Sequence, residues 1–334
     1  MINYAIKIHE KKADELERLV ADWLNVRRKA YHDWDADPGA GDGGRDVVGF
    51  LTPQGYEGPW HNYQCKQLLT RLTLPAAILE IAKIVMHAAD GDFPLPARYV
   101  FVAPRGVTRD AGDMIRQPER FRRTVAETWD VHCRDKLVRR KAIPLSDGIR
   151  AELDRFDFTG VQALNAQKLV AQPDILPVLV RHFGEDPGPA PDPGPCPPEA
   201  GEEEAPYLGQ LAAAYGARAG LAAATVAEIQ GHPTWGRRLR DQRIRYFHAA
   251  SFARHYRDRV FQDVLVAFDE EIYHAVVDTH GSDRHRDALD QVDAVMAVAG
   301  GVQVTGVLRN HAAPQVKQGT CHRFANEDRL PWGI

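Results

Sequence analysis

Asp46, Gln64 and Lys66 are the residues whose types and spacing fit the hydrolysis of a phosphodiester. They occur in two short runs, GDGGRDVVG ending at Gly49 and YQCKQ from Tyr63 to Gln67, separated by the turn-rich TPQGYEGP. Asp46 offers a hard anionic oxygen to Mg2+, a cation that prefers oxygen donors and keeps several of its waters. The Gln64 side-chain oxygen and the Cys65 backbone carbonyl can complete the protein ligands, and Mn2+ can substitute. Lys66 can hold the attacking water or help deprotonate it, and can offset charge on the developing phosphorane. A metal would polarise the phosphoryl oxygen and ease loss of a water proton. Each fragment alone has an ordinary reading: an Asp after two glycines is a turn residue, and QxK on a strand is a solvent-facing edge. Together, with mirrored spacing around a turn, they favour a site. Gly43, Gly44 and Gly49 would leave room for a bulky backbone to approach.

These groups meet only if residues 45–51 and 60–67 pair as an antiparallel hairpin. The midpoint between Asp46 and Lys66 is then position 56, inside GYEG, so both side chains sit at the open end. Gln64 and Lys66 share one face while Cys65 points to the other, into the core, where a nucleophilic role is rejected. Around the hairpin, Leu16, Leu19, Val20, Trp23 and Leu24 predict a helix over 13–28, and Ile78, Ile81, Ala82 and Val85 another over 74–89. YVFVA (99–103) suits a buried strand, and an arginine-rich helix follows over 118–136. This order describes a mixed α/β domain over 1–183. The run GEDPGPAPDPGPCPPEAGEEEAP (184–206) cannot bury apolar surface and reads as a semi-extended linker. Helices expected over 206–224, 236–259, 261–278 and 287–299 make residues 207–334 a mainly α-helical domain.

The chain has 334 residues, 44% hydrophobic and 26% charged, with a net charge of −4, so any nucleic-acid contact must come from local patches. One patch holds Arg116, Arg120, Arg122 and Arg123 and continues to Arg139, Arg140 and Lys141; it would track the backbone of double-stranded DNA with little sequence preference. The other, from Arg237 to Arg259, holds Arg243, Arg245, Arg254 and Arg257, which would face a partner subunit or DNA. The ordinary reading of both is a solvated helix face. Tyr246, Phe247, Phe252, Tyr256 and Phe261 fall at helical spacing in the second patch and read as its core face. Four scattered cysteines without a CxxC argue against a disulfide framework or a thiolate zinc site. Cys321, His322 and His311 read as a packed helix end, and His280 and His285 as part of a polar loop. Without a signal-like h-region, a membrane-length apolar stretch or a nucleotide-binding glycine loop, a cytoplasmic protein is expected.

The constellation resembles the PD-(D/E)xK nuclease superfamily in the variant with Gln in the second motif, as in Mrr-like restriction enzymes. The resemblance implies a restriction-endonuclease-like domain with a mixed central sheet flanked by helices. It also implies a metal-site Glu on the preceding helix, matched here by Glu17 in LERLVADWL, with Glu15 as second choice. Glu80 and Lys83 in LEIAKI either face the same end or form a solvated pair. GDGGRDVVGF, WHNYQCKQ, the EIAK segment, YVFVAPRGV and FDF (156–158) together look like the endonuclease domain of bacterial anti-phage effectors. The C-terminal half is similar to the C-terminal domains of ABC-three-component systems, the Lamassu-type defence systems. DQRIRYFHAASFARHYRD (241–258) and GTCHRFANEDRLPW (319–332) carry that likeness, although Ser251 stands where relatives commonly have Glu. The resemblance implies a nuclease effector held quiet by an SMC-like ATPase and a third small subunit, then released to homo-oligomerise when foreign DNA is sensed. Two alternatives remain: a type IV restriction enzyme cutting modified DNA, and a catalytically silent adaptor binding DNA or partner subunits.

Overall fold

The structure is a computed structural model that describes residues 3–36 and 43–333. The chain forms two units, Met1–Phe183 and Gly184–Ile334. The first is built on a five-stranded sheet whose spatial order follows the chain: β1 (Asp33–Ala36), β2 (Val47–Phe50), β3 (Trp60–Cys65), β4 (Arg98–Val102) and β5 (Val161–Leu164). β1, β2 and β3 pair antiparallel, whereas β4 and β5 continue from β3 in parallel. Parallel pairing aligns the C-terminal ends of β3, β4 and β5, since Cys65 lies beside Val102 and Val102 beside Leu164. β1 and β5 carry too few alternating apolar residues to be legible in the sequence.

Nine helices are described around this sheet: α1 (Tyr4–His9), α2 (Ala13–Val26), α3 (Leu74–Asp90), α4 (Arg109–Ile115), α5 (Pro118–Glu127), α6 (Trp129–His132), α7 (Asp147–Arg155), α8 (Ala166–Val170) and α9 (Leu176–Phe183). Val48, Phe50, Trp60, Tyr99 and Phe101 alternate onto one sheet face and join Ile78, Ile81, Ala82 and Val85 of α3 in the core. Val47 and Tyr63 lie on the other face, where Tyr63 meets Trp23 of α2 edge-on at 5.7 Å. Thr73 caps α3, and Gly91 ends it at φ 82°, a left-handed conformation that glycine adopts without a Cβ clash. The expected helix over 118–136 is broken at Thr128 into α5 and α6. The hydroxyls of Thr124 and Thr128 bond back to the carbonyls of Arg120 and Thr124, and such bonds weaken or bend a helix.

The described part of the second unit contains only helices: α10 (Ala205–Ala219), α11 (Val226–Gly231), α12 (Trp235–Arg257), α13 (Gln262–His280), α14 (Ala288–Gly301) and α15 (Pro314–Asn326), besides a single 3-10 turn at Glu202–Glu204. α12 and α15 cross so closely that a Cβ on Gly319 would lie 1.9 Å from the Arg245 carbonyl oxygen. Residues 184–200 form no helix or strand, yet they do not hang free. Tyr256 donates to the Gly188 carbonyl at 2.6 Å, Ser251 to Pro191 at 3.2 Å, and Arg243 to Pro197 and Glu199 at 2.9 and 2.8 Å. A segment with little apolar side chain is thus fastened through its backbone acceptors, as a strap along α12. Among the described residues no helix is long and apolar enough to cross a membrane.

Candidate active site

The hairpin register decides how the site is assembled. Val47 pairs with Tyr63 and Phe50 with Trp60, and the Leu51 N–H donates to the Pro59 carbonyl at 3.1 Å. The hairpin is therefore centred on Gly55, one position earlier than the spacing of Asp46 and Lys66 suggested. Asp46, just before β2, then falls opposite Gln64, and Lys66 lies one step past the end of β3. This register brings Asp46 and Gln64 into direct contact: the Gln64 amide donates to Asp46 Oδ2 at 2.7 Å, and the Cys65 N–H donates to the same oxygen at 2.6 Å. Asp46 is only 6% exposed and Gln64 2%. A carboxylate this buried persists where charge-accepting hydrogen bonds replace water, as these two donors do.

The Gln64 amide is committed on both sides. Its nitrogen holds Asp46, and its oxygen faces the Tyr99 hydroxyl of β4 at 3.4 Å, instead of lying open for a cation. In this arrangement Gln64 orients the carboxylate. Behind it, the Asn62 amide donates to the Gly44 carbonyl at 3.0 Å and ties the glycine loop to β3.

Lys66 extends toward α3, where Glu80 Oε1 lies 3.1 Å from its ammonium nitrogen. Lys83 approaches the same oxygen at 3.0 Å, so one carboxylate bridges two ammonium groups. Glu80 is 7% exposed although it lies on a helix face that also carries Ile81 and Ile84, and only its pairing explains that burial. Glu80 and Lys83 thus reach the same end as Lys66, the option left open by sequence. A charged residue on an apolar helix face was the available signal. Tyr99 was missed, though it shares the sheet face of Phe101 by parity.

Cys65 is buried, and its thiol is held well above its ordinary range by burial, then by the charges of Asp46 and Glu17, against an opposing effect of Lys66. A thiol in that state is no nucleophile. The same electrostatics brings Glu17, half-buried on α2, to the neighbourhood of Cys65. Glu15 is occupied elsewhere: its carboxylate accepts the Lys12 N–H at 2.7 Å as the N-terminal cap of α2. Of these two α2 carboxylates, Glu17 is the one whose charge is felt at the Cys65 thiol.

The glycines have another role than the one expected. A Cβ on Gly44 would meet Lys83 at 3.3 Å, one on Gly43 would meet Phe93 at 3.2 Å, and one on Gly49 would overlap Tyr31 at 2.6 Å. Gly43 and Gly44 also adopt φ of 62° and 86°. They are required by close packing and a left-handed turn, and the space beside them is filled by the protein's own side chains.

The first basic patch divides in two. Arg116 pairs with Asp113 at 3.3 Å, Arg122 with Glu119 and Asp154 at 2.7 and 2.8 Å, and Arg123 with Glu127 at 3.9 Å, while Arg120 donates to Gln117. These pairs offset much of the positive field expected along α5. Arg139, Arg140 and Lys141 stand exposed on a tight turn, with Arg140 at φ 63°. In the second patch Arg243 is a correction: it is 3% exposed and forms a buried pair with Glu204 at 2.8 Å. It fastens the strap within its own chain and offers no surface to a partner. Arg245 donates to Gln242, Arg257 pairs with Asp258 on the surface, and Arg254 is exposed. Tyr246, Phe252, Tyr256 and Phe261 are buried as the helical spacing indicated, with Phe247 half-buried.

His322 is fully buried, stacks on Tyr207, and lies 3.0 Å from Gln242 Oε1 and 3.1 Å from the Trp332 indole nitrogen. Burial lowers its pKa to about 3. Cys321 is buried, His311 meets Asp186, and His280 and His285 meet the Pro331 and Thr279 carbonyls, so these groups serve packing. Among the described residues no three His, Cys, Asp or Glu side chains cluster as a metal site.

No curated protein and no solved structure matches the chain. Residues 204–332, which span α10 to α15, match the family model of C-terminal domain 6 of the ABC-three component (ABC-3C) systems, and that match supports membership of the chain in such a system.

Proposed function

We propose that the chain is a metal-dependent double-stranded DNA endonuclease, acting as the effector of an ABC-three-component anti-phage system. The observation that carries this reading is the assembly of Asp46, Gln64 and Lys66 at one end of the sheet, with Glu80 holding Lys66. A structural salt bridge would not need a buried carboxylate gripped by two donors beside it.

The donor set suits one class of ion. A single oriented carboxylate, backbone carbonyls and a second carboxylate in the vicinity at Glu17 fall short of an all-protein cage, but Mg2+ binds through one or two carboxylates and keeps its waters. When bound, the metal would supply Lewis-acid polarisation of the phosphoryl oxygen. The protein's own work is orientation and charge. Gln64 and the Cys65 N–H fix the Asp46 carboxylate. Lys66, 21% exposed, donates hydrogen bonds outward to the attacking water and the developing charge. The water oxygen forms the new bond to phosphorus and releases a proton to solvent, while the bond to the leaving oxygen breaks with its electron pair and that oxygen takes up a proton from solvent. Glu80 sets the Lys66 position and shares its ion pair with Lys83.

A free nuclease is toxic to its own cell, so control by the other subunits of the system, an SMC-like ATPase and a third small subunit, and homo-oligomerisation on release belong to this reading. The helical unit is where such control would act, which its family match supports. The test is supercoiled plasmid incubated with the full chain and the other subunits. Nicked or linear product is expected in Mg2+ or Mn2+, and none in EDTA or with Asp46→Asn. Product that persists in EDTA, or none from the wild type in either metal, would sink the proposal.

A further inference from the structure

A cleft of about 560 Å3 is lined by the edge strand β5 and by the segments that follow β4 and β5, at the sheet end of the candidate site. Arg71, Arg105, Arg116 and Lys168 line it together with Gln162 and Asn165, and no carboxylate does. All four cations are exposed. Arg116 pairs with Asp113, but Arg71, Arg105 and Lys168 make no ion pair among the described residues. Every arginine pair on α5 contrasts with this: there the charge is answered locally, here it is left for something else.

The backbone fixes the cleft relative to the site. The Lys66 N–H donates to the Val102 carbonyl at 2.8 Å, and the Leu72 N–H donates to Gly106 at 2.9 Å, so the segment carrying Lys66 and Arg71 runs alongside the one carrying Arg105. Lys66 and Arg71 are five positions apart, which limits their Cα separation to about 18 Å. One turn of duplex DNA spans about 34 Å, so a single segment of one turn can touch both. The lining contains no aromatic ring on which a base could stack, and a nucleobase reader needs one.

We propose that this cleft is a binding site for the sugar–phosphate backbone of the DNA flanking the bond to be cut, gripped by Arg71, Arg105 and Lys168. The inference rests on the nuclease reading for its ligand but is tested without catalysis. DNA then crosses the C-terminal ends of the parallel strands, and the arginines of α5 are not its principal track. Contacts of this kind position the duplex and carry no sequence information.

The experiment is fluorescence anisotropy of a duplex of about 30 base pairs with the full chain in EDTA, across a salt series. The triple variant Arg71→Ala, Arg105→Ala, Lys168→Ala should lose at least about tenfold in affinity near 0.1 M salt. Its slope of log affinity against log salt should flatten by about 2.7, or 0.9 for each phosphate contact. Arg28→Ala with Arg155→Ala removes two exposed cations outside the cleft and should leave both values within about twofold of wild type. Wild-type affinity and slope in the triple variant would overturn the inference, and plasmid cutting by wild type would then still stand. The reverse result, binding lost in the triple variant but no cutting by wild type in Mg2+, retains the cleft and sinks the nuclease reading. Inorganic tripolyphosphate provides a further arm. If it raises the melting temperature of wild type but not of the triple variant, while DNA affinity is the same for both, the cleft takes a small polyphosphate and the backbone proposal fails.

Discussion

At the scale of residues, the candidate site is defined by which hydrogen-bond donors each side chain has committed. Asp46 Oδ2 takes two donors, and Gln64 supplies one of them, so Gln64→Ala should free a buried carboxylate and cost about 1–3 kcal/mol of stability along with activity. Gln64→Glu tests the orienting role more sharply. It places a second carboxylate against Asp46, and two like charges in one buried pocket raise the pKa of the pair. Groups with a raised folded pKa stabilise the protein below their unfolded pKa, near 4, and lose that contribution as pH rises. Without metal, the variant should therefore melt lower at pH 8 than at pH 5, and Mg2+ should restore much of the difference; a melting temperature indifferent to both would refute the orienting role. Asp46 and Lys66 were legible because residue type and spacing alone restrict their chemistry. The Glu80 bridge was not, because sequence does not show which face of α3 meets the lysine until the helix is docked on the sheet.

At the scale of elements, the hairpin shows how a one-position difference changes a contact. The turn over Gly55–Glu57 centres the pairing on Gly55, which sets Asp46 opposite Gln64, and no pattern of apolar residues in TPQGYEGP distinguishes this from position 56. In the helical unit, Arg243 illustrates the converse failure. It lies on a helix whose charged and apolar residues are poorly segregated, and its partner Glu204 is far along the chain, so burial could not be read from spacing. Arg243→Ala leaves Glu204 buried and unpaired and should destabilise the unit by about 3–5 kcal/mol. Limited proteolysis should show cleavage within 184–200 once its fastening is gone; a strap as resistant as in the wild type would refute the role given to Arg243. Gly319, by contrast, lies in a run already singled out by resemblance, and the structure supplies its reason: α12 and α15 touch backbone to backbone there. Gly319→Ala should cost about 3 kcal/mol or more by overpacking, read as a lower melting transition.

At the scale of the whole molecule, two units with different chemistry share one chain. The helical unit contains a titrating group that reports its integrity. His322 has a folded pKa near 3 against an ordinary 6.5, and neutral imidazole suits its setting, with one nitrogen accepting from Trp332 and the other donating to Gln242. A depressed folded pKa gives stability that is full above about pH 6.5 and is lost as pH falls from there toward 3. The loss is on the order of 5 kcal/mol across that window, and His322→Gln should flatten the dependence seen by thermal melting between pH 7 and pH 5. The domain boundary near residue 184 was legible from composition, since a Pro/Gly/Glu-rich run stands out against its flanks. That the run is bound along α12 was not, because the acceptors used belong to the backbone.

The most direct test of the nuclease reading is single-turnover cleavage of a labelled duplex by Lys66→Ala beside wild type, with duplex binding measured in EDTA for both. Cleavage in Mg2+ should fall by a factor of about 100–10,000 while binding changes little, since Lys66 acts on the reacting water and phosphate. Cleavage by Lys66→Ala within a few-fold of wild type would contradict it.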